Sequence, residues 1–132
     1  MPIIPSHQNG KRKILVVDDE KAFGVMLKLN LEQIFGYQVR VETDGANAFV
    51  AAKEFQPNLI FLDVIMPKIR GEEIVWKLMN DNLTKSIPVV FLTALDATDS
   101  KNGKRIFGQL PVLSKPASLD EVISCIEQNL RN

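Results

Sequence analysis

Three stretches of this chain are apolar at every position: residues 14–17 (Ile-Leu-Val-Val), 59–62 (Leu-Ile-Phe-Leu) and 89–92 (Val-Val-Phe-Leu). A strand that is apolar on every residue, and not on every second one, is buried on both faces. That burial arises in a parallel sheet covered by helices on either side. Residues 38–42 (Gln-Val-Arg-Val-Glu) alternate instead, which predicts an edge strand with one wet face. A weaker fifth run spans 110–113 and carries Pro111, a residue tolerated at a sheet edge and costly in its centre.

Helical patterns separate the runs. Residues 20–35 end at Gly36, a good residue for leaving a helix, and residues 45–55 stop before Pro57. Residues 71–80 place Ile74, Val75, Leu78 and Met79 on helical spacing. Ser118 and Glu121 form a capping-box pattern opening a last helix, with Leu119, Val122, Ile123, Ile126 and Leu130 on one stripe. Between 96 and 108 only Ile106 and Phe107 are strongly apolar and Gly103 interrupts, so a short or mobile helix is expected there. The alternation is (βα)5, which predicts a single-domain, doubly wound α/β fold with right-handed crossovers. Residues 1–11, with Pro2, Pro5 and the lone His7, read as a flexible N-terminal tail; residues 12–132 read as the domain.

Composition narrows the function classes. The 132 residues carry 16 Lys+Arg against 16 Asp+Glu, and this balance argues against a direct nucleic-acid or anionic-membrane binder. No apolar run approaches the roughly 20 residues needed to cross a bilayer. The start lacks the basic-then-apolar order of a signal peptide, and a single cysteine cannot form an internal disulfide, so a cytoplasmic location is expected.

In open α/β sheets, ligands bind outside the carboxyl ends of the strands. Asp18 and Asp19 end the first run, Asp63 the third and Thr93 the fourth, while Ser114 and Lys115 follow the fifth. Three carboxylates, a hydroxyl and an ammonium are therefore aimed at one rim. Two like charges about 4 Å apart repel by about 4 kcal/mol at an effective dielectric near 20. Lys115 offsets only part of this. A hard divalent cation with oxygen ligands is one remedy, and Mg2+ suits it best; protonation of one Asp with a raised pKa is the other. An Asp carboxylate at such a rim can attack phosphorus, and phosphoryl transfer asks mainly for positioning and charge neutralisation. The adjacent pair suits metal holding, and the solitary Asp63 suits attack. Read alone, each acid could equally cap a helix.

The sequence resembles response-regulator receiver domains of two-component signalling. The matching segments are Val-Val-Asp-Asp-Glu (16–20), Gly-Tyr-Gln-Val (36–39), Asp-Gly-Ala-Asn-Ala (44–48), Leu-Ile-Phe-Leu-Asp-Val-Ile-Met-Pro (59–67) with Gly71, Pro-Val-Val-Phe-Leu-Thr-Ala (88–94) and Ser-Lys-Pro (114–116). The resemblance implies a flavodoxin-like strand order, 2-1-3-4-5, and a phosphorelay module that is no classical enzyme. Asp63 would accept a phosphoryl group from a sensor histidine kinase or histidine phosphotransfer protein. Asp19, Asp63 and the Ile65 carbonyl would ligate Mg2+, with Asp18 acting through a water. Thr93 and Lys115 would contact the phosphoryl group, and the Lys115–Pro116 bond would be cis. An unidentified downstream protein and a monomer or weak homodimer complete the expectation. Val112 stands where the family often has Tyr or Phe, so the signal is expected to travel through the loop after Thr93.

Further expectations concern the surroundings. Ile65 and Leu95 would flank the phosphoryl group with apolar side chains that cannot orient water, predicting slow self-dephosphorylation. Phe23, Met26, Leu27 and Ile34 are expected as the core stripe of the first helix. Val25 and Leu29, on its other side, are candidates for docking the donor's helical bundle. Trp76 is expected to pack on the third helix, and Cys125 to flank the stripe of the last. The alternative to a phosphorelay receiver is a phosphate-independent pseudo-receiver acting as a protein-binding module. A Mg2+-dependent phosphatase with an Asp nucleophile fits less well, because no cap domain fits and the attacking candidate lies on the third strand.

Overall fold

In the computed structural model, which describes residues 11–94 and 110–130, each of the three continuous apolar runs is a central strand. They are β1 (Lys13–Val17), β3 (Leu59–Asp63) and β4 (Val89–Thr93). The alternating segment is the edge strand β2 (Gln38–Glu42), and β5 (Val112–Ser114) forms the opposite edge. All pairings are parallel, in the order β2-β1-β3-β4-β5. The helix expected over 96–108, Leu95, and residues 1–10 of the expected tail lie outside the described residues.

The double burial of the central strands has a simple cause. Leu15, Val17, Ile60, Leu62 and Phe91 point to one face, where α2 (Ala48–Phe55, entered through a 3-10 turn Gly45–Asn47) and α3 (Gly71–Met79) cover them. Ile14, Val16, Phe61, Val90 and Leu92 point to the other, under α1 (Lys21–Phe35) and the C-terminal helix α4 (Leu119–Leu130). Successive side chains of a strand alternate sides, so two covered faces demand apolar residues throughout.

Helix ends follow the local chemistry. Gly36 takes the left-handed conformation (φ 76°) after α1, and its N–H closes the last turn on the Glu32 carbonyl. Ser118 Oγ accepts from the Glu121 N–H at 3.1 Å while Glu121 Oε1 accepts from the Ser118 N–H at 2.9 Å, completing the predicted capping box. At β5 the ladder starts later than the apolar run. Pro111 has no N–H to donate, although its carbonyl accepts from Phe91, so regular pairing begins at Val112.

The β2 edge is partly closed by α1. Lys28 Nζ donates to the Val39 carbonyl at 2.7 Å and Glu32 Oε2 accepts from the Val39 N–H at 2.9 Å, with the two side chains themselves 2.9 Å apart. Backbone groups that would otherwise invite another strand are thereby satisfied. The bonds from Lys28 and Val39 hold the Glu32 carboxyl below its ordinary value.

Two apolar assignments are corrected. The buried line of α1 is Gly24, Leu27 and Leu31, with Phe23 half-buried beside it, whereas Met26 and Ile34 are exposed. A helix seated on a sheet buries a narrow strip, and at 100° per residue Met26 lies on the far side of the strip that Gly24 and Leu31 define. Likewise Ile74, Val75 and Leu78 of α3 are buried, but Met79 is exposed and Trp76 is 67% exposed, directly opposite the core.

A candidate phosphoryl-transfer site at the carboxyl rim of the sheet

Parallel pairing brings the carboxyl ends of β1, β3, β4 and β5 to one rim, and the polar residues follow. Asp18 comes directly after β1, Asp63 ends β3, Thr93 ends β4, and Lys115 follows Ser114 at the end of β5. The Lys115 N–H donates to the Thr93 carbonyl at 2.7 Å, so the β4–β5 ladder itself aims the lysine at the rim. Among the described residues, carboxylate oxygens of Asp18, Asp19 and Asp63 lie within 4.8 Å of one another. Asp18 is 0% exposed, Asp63 5% and Thr93 0%, while Asp19 faces solvent.

Backbone bonds fix the acids. Asp18 Oδ1 accepts from the Glu20 N–H at 2.9 Å, and Asp63 Oδ1 accepts from the Ile65 N–H at 3.1 Å. Each acid therefore holds the turn that follows it, and keeps a second oxygen for the rim. Gly71 favours the close approach of α3 to β3: a Cβ there would meet the Phe91 ring at 3.1 Å and the Val64 Cα at 3.3 Å, tight enough that these neighbours would have to give by a few tenths of an ångström. The Lys115–Pro116 peptide is cis.

The Lys115 ammonium sits inside the acidic cluster. It lies 2.6 Å from Asp18 Oδ2, 2.5 Å from Glu20 Oε1 and 3.6 Å from Asp63 Oδ2, and 4.8 Å from the centre of the Phe23 ring. Glu20 and Phe23 are contacts that the strand-end rule missed. They belong to the first turn of α1 and its entry; the third acid of Asp-Asp-Glu was the available signal for Glu20. Burial pulls the Lys115 pKa down, but the Asp18 and Glu20 carboxylates outweigh it, leaving the ammonium pushed up to about 12. Burial also raises Asp63; the Ile65 N–H and Lys115 oppose it, Asp18 and Asp19 reinforce it, and the result is a value of about 6.

The charges do not balance. Among the described residues, the three clustered Asp carboxylates, with Glu20 beside them, face a single ammonium. The buried Asp18 Oδ2 accepts no regular hydrogen bond among the described residues, although the Lys115 ammonium lies 2.6 Å away. An all-oxygen donor set among the described residues, with excess negative charge and a buried oxygen that accepts no hydrogen bond, fits a hard divalent cation such as Mg2+. Ile65 is exposed beside Asp63. Val25 and Leu29 are exposed on α1, and so is Met26 beside them.

Comparison with known proteins places the chain in a family. The family described as the response regulator receiver domain matches residues 14–127. Protein PilG of Pseudomonas aeruginosa is 30% identical over 123 residues, covering 93% of this chain and 90% of that protein. The DNA-binding dual master transcriptional regulator RpaA of Synechocystis sp. is 34% identical over 119 residues, which is 90% of this chain and 49% of RpaA. The chain thus spans about half the length of that regulator. Among solved structures, the Vibrio cholerae chemotaxis protein CheY4 superposes with a TM-score of 0.80 at 26% identity, covering 92% of this chain and all of that one.

Proposed function

Because the chain belongs to the response regulator receiver family, whose work is phosphorelay signalling, we propose that it accepts a phosphoryl group on Asp63 in a Mg2+-dependent reaction and thereby switches the binding of a partner protein. The observation that carries this reading is the buried Asp63 carboxylate, with Asp18 and Asp19 within 4.8 Å and the Lys115 ammonium at 3.6 Å. The comparisons give no support to the phosphate-independent binding module.

Transfer from a phosphohistidine forms a P–O bond to an Asp63 oxygen and breaks the P–N bond, the imidazole leaving with a proton. Asp63 must be ionised to attack. Asp18, Asp19, Asp63 and the Ile65 carbonyl would hold Mg2+, which when bound supplies charge neutralisation at the phosphoryl oxygens. Lys115 contacts a second oxygen once it turns from Glu20 and Asp18 toward the phosphoryl group, and the Thr93 hydroxyl contacts a third. Ile65 covers one side with apolar surface, where no group can orient an attacking water. The protein therefore catalyses its own labelling and only a slow loss of the label.

The test uses acetyl phosphate with Mg2+ and intact-mass measurement. A single adduct of about 80 Da, the mass of a phosphoryl group replacing a proton, should appear and be absent from Asp63→Asn. After donor removal it should persist for minutes. An adduct retained in Asp63→Asn, or none in the parent, rejects the assignment; decay within seconds rejects the role given to Ile65.

The donor is a histidine kinase or histidine phosphotransfer protein that docks on the exposed apolar surface of α1, where Val25, Met26 and Leu29 lie near the rim. A charge at Val25 (Val25→Glu) should slow transfer from the donor protein about tenfold, since one buried apolar contact is worth about 1–2 kcal/mol. Labelling by acetyl phosphate should be unchanged. Equal loss in both assays removes α1 as the docking surface.

A further inference from the structure

The face of α3 turned away from the core is apolar. Trp76, Met79 and Leu83 are all exposed, and Trp76 and Met79 lie one helical turn apart. Leu83 is not on a loose loop. Asp81 Oδ1 accepts from the Leu83 N–H at 2.8 Å, the Asp81 carbonyl accepts from the Thr84 and Lys85 N–H groups, and the buried Thr84 hydroxyl donates to the Leu78 carbonyl at 2.6 Å. Lys53 of α2 braces Asp81 at 3.4 Å. The turn after α3 therefore presents Leu83 and Lys85 as a fixed continuation of the helix face, with little ordering left to do on contact.

Charge on this face is arranged end to end. Glu72 stands at its amino end, and Lys85, also exposed, lies past its other end. Among the described residues neither side chain has an ion-pair partner. An acidic end and a basic end flanking an apolar middle are self-complementary under a two-fold axis. We propose that this face is a homodimer interface, in which α3 of two copies pack antiparallel about an axis near Met79. Trp76 of each copy meets the Leu83 end of the other, and Glu72 of each faces Lys85 of the other. The α1 surface lies across the sheet from α3, so the dimer leaves the donor surface open. The small apolar area makes the association weak and concentration-dependent.

Sedimentation equilibrium of the full chain from about 10 μM to about 1 mM spans the range of such weak contacts. A monomer–dimer equilibrium is expected, abolished by Trp76→Glu. Trp76 is the chain's single tryptophan, so its emission should shift to the blue over the same concentrations. Glu72→Lys and Lys85→Glu should each weaken the dimer on the order of tenfold through like-charge contacts. Mixed in equal amounts, the two variants should dimerise with each other as well as the parent does with itself, because both contacts then pair opposite charges. A monomer throughout overturns the proposal and leaves the face to another protein. A dimer with unchanged Trp76 emission, or one indifferent to the charge variants, overturns it as well.

Discussion

Replacing Lys115 with methionine should lower the stability of the protein in EDTA at pH 7.5 by about 3–5 kcal/mol, the cost of leaving a buried charge without its partner. Asp18 is fully buried, and among the described residues the Lys115 ammonium is the cation beside its Oδ2, at 2.6 Å. Methionine keeps an apolar stem against the Phe23 ring, so the loss reads the charge and not a cavity. Millimolar Mg2+ should restore a large part of the loss, since a divalent cation among the same oxygens supplies the missing positive charge. Urea unfolding with and without Mg2+ checks both statements. A variant as stable as its parent in EDTA would mean that Asp18 is satisfied by some other group.

The opposite substitution should act in the opposite direction. Asp63 has a folded-state pKa of about 6, raised above the ordinary 3.8 first by burial. An acid whose pKa rises on folding favours the native state only when protonated, so its ionisation opposes folding. That opposition sets in as the pH climbs from about 4 and is complete above about 6. Two pKa units correspond to about 3 kcal/mol at most. Asp63→Asn keeps an oxygen to accept from the Ile65 N–H and removes the charge. In EDTA at pH 7.5 it should be more stable than the parent by about 1–3 kcal/mol, with the gain vanishing near pH 4. Stabilisation by Mg2+ should shrink in the same variant. Chemical denaturation across that pH range decides it, and destabilisation at pH 7.5 contradicts the account of the rim.

Much of this was legible in the sequence because it follows from chain periodicity. Apolar residues on successive positions announced strands buried on both faces, and the strand-end rule then selected Asp18, Asp63, Thr93 and Lys115 without any coordinates. Helix faces were harder to read. Met26 and Ile34 are apolar residues of the same helix, but which strip of α1 meets the sheet is set partly by the close approach of Gly24 to Val41, where an added Cβ would sit 2.7 Å from a methyl group. Glycine carries no hydropathy signal for such an approach. Trp76 shows the same limit from the other side, since a large aromatic on a half-buried helix says nothing about which half. Glu20 was visible as a letter, but its pairing with Lys115 joins residues far apart in the chain and needs the β1 and β5 ends in space.

On the proposed reading the acidic rim tolerates its own charge by taking up a divalent cation. Calorimetric titration of the metal-free protein with Mg2+ tests it most directly. One site with a dissociation constant at or below the millimolar range is expected at pH 7.5, weakening about tenfold per pH unit below 6 as protons compete for Asp63. Absence of any heat, or of any shift in unfolding midpoint, at about 10 mM Mg2+ would contradict it.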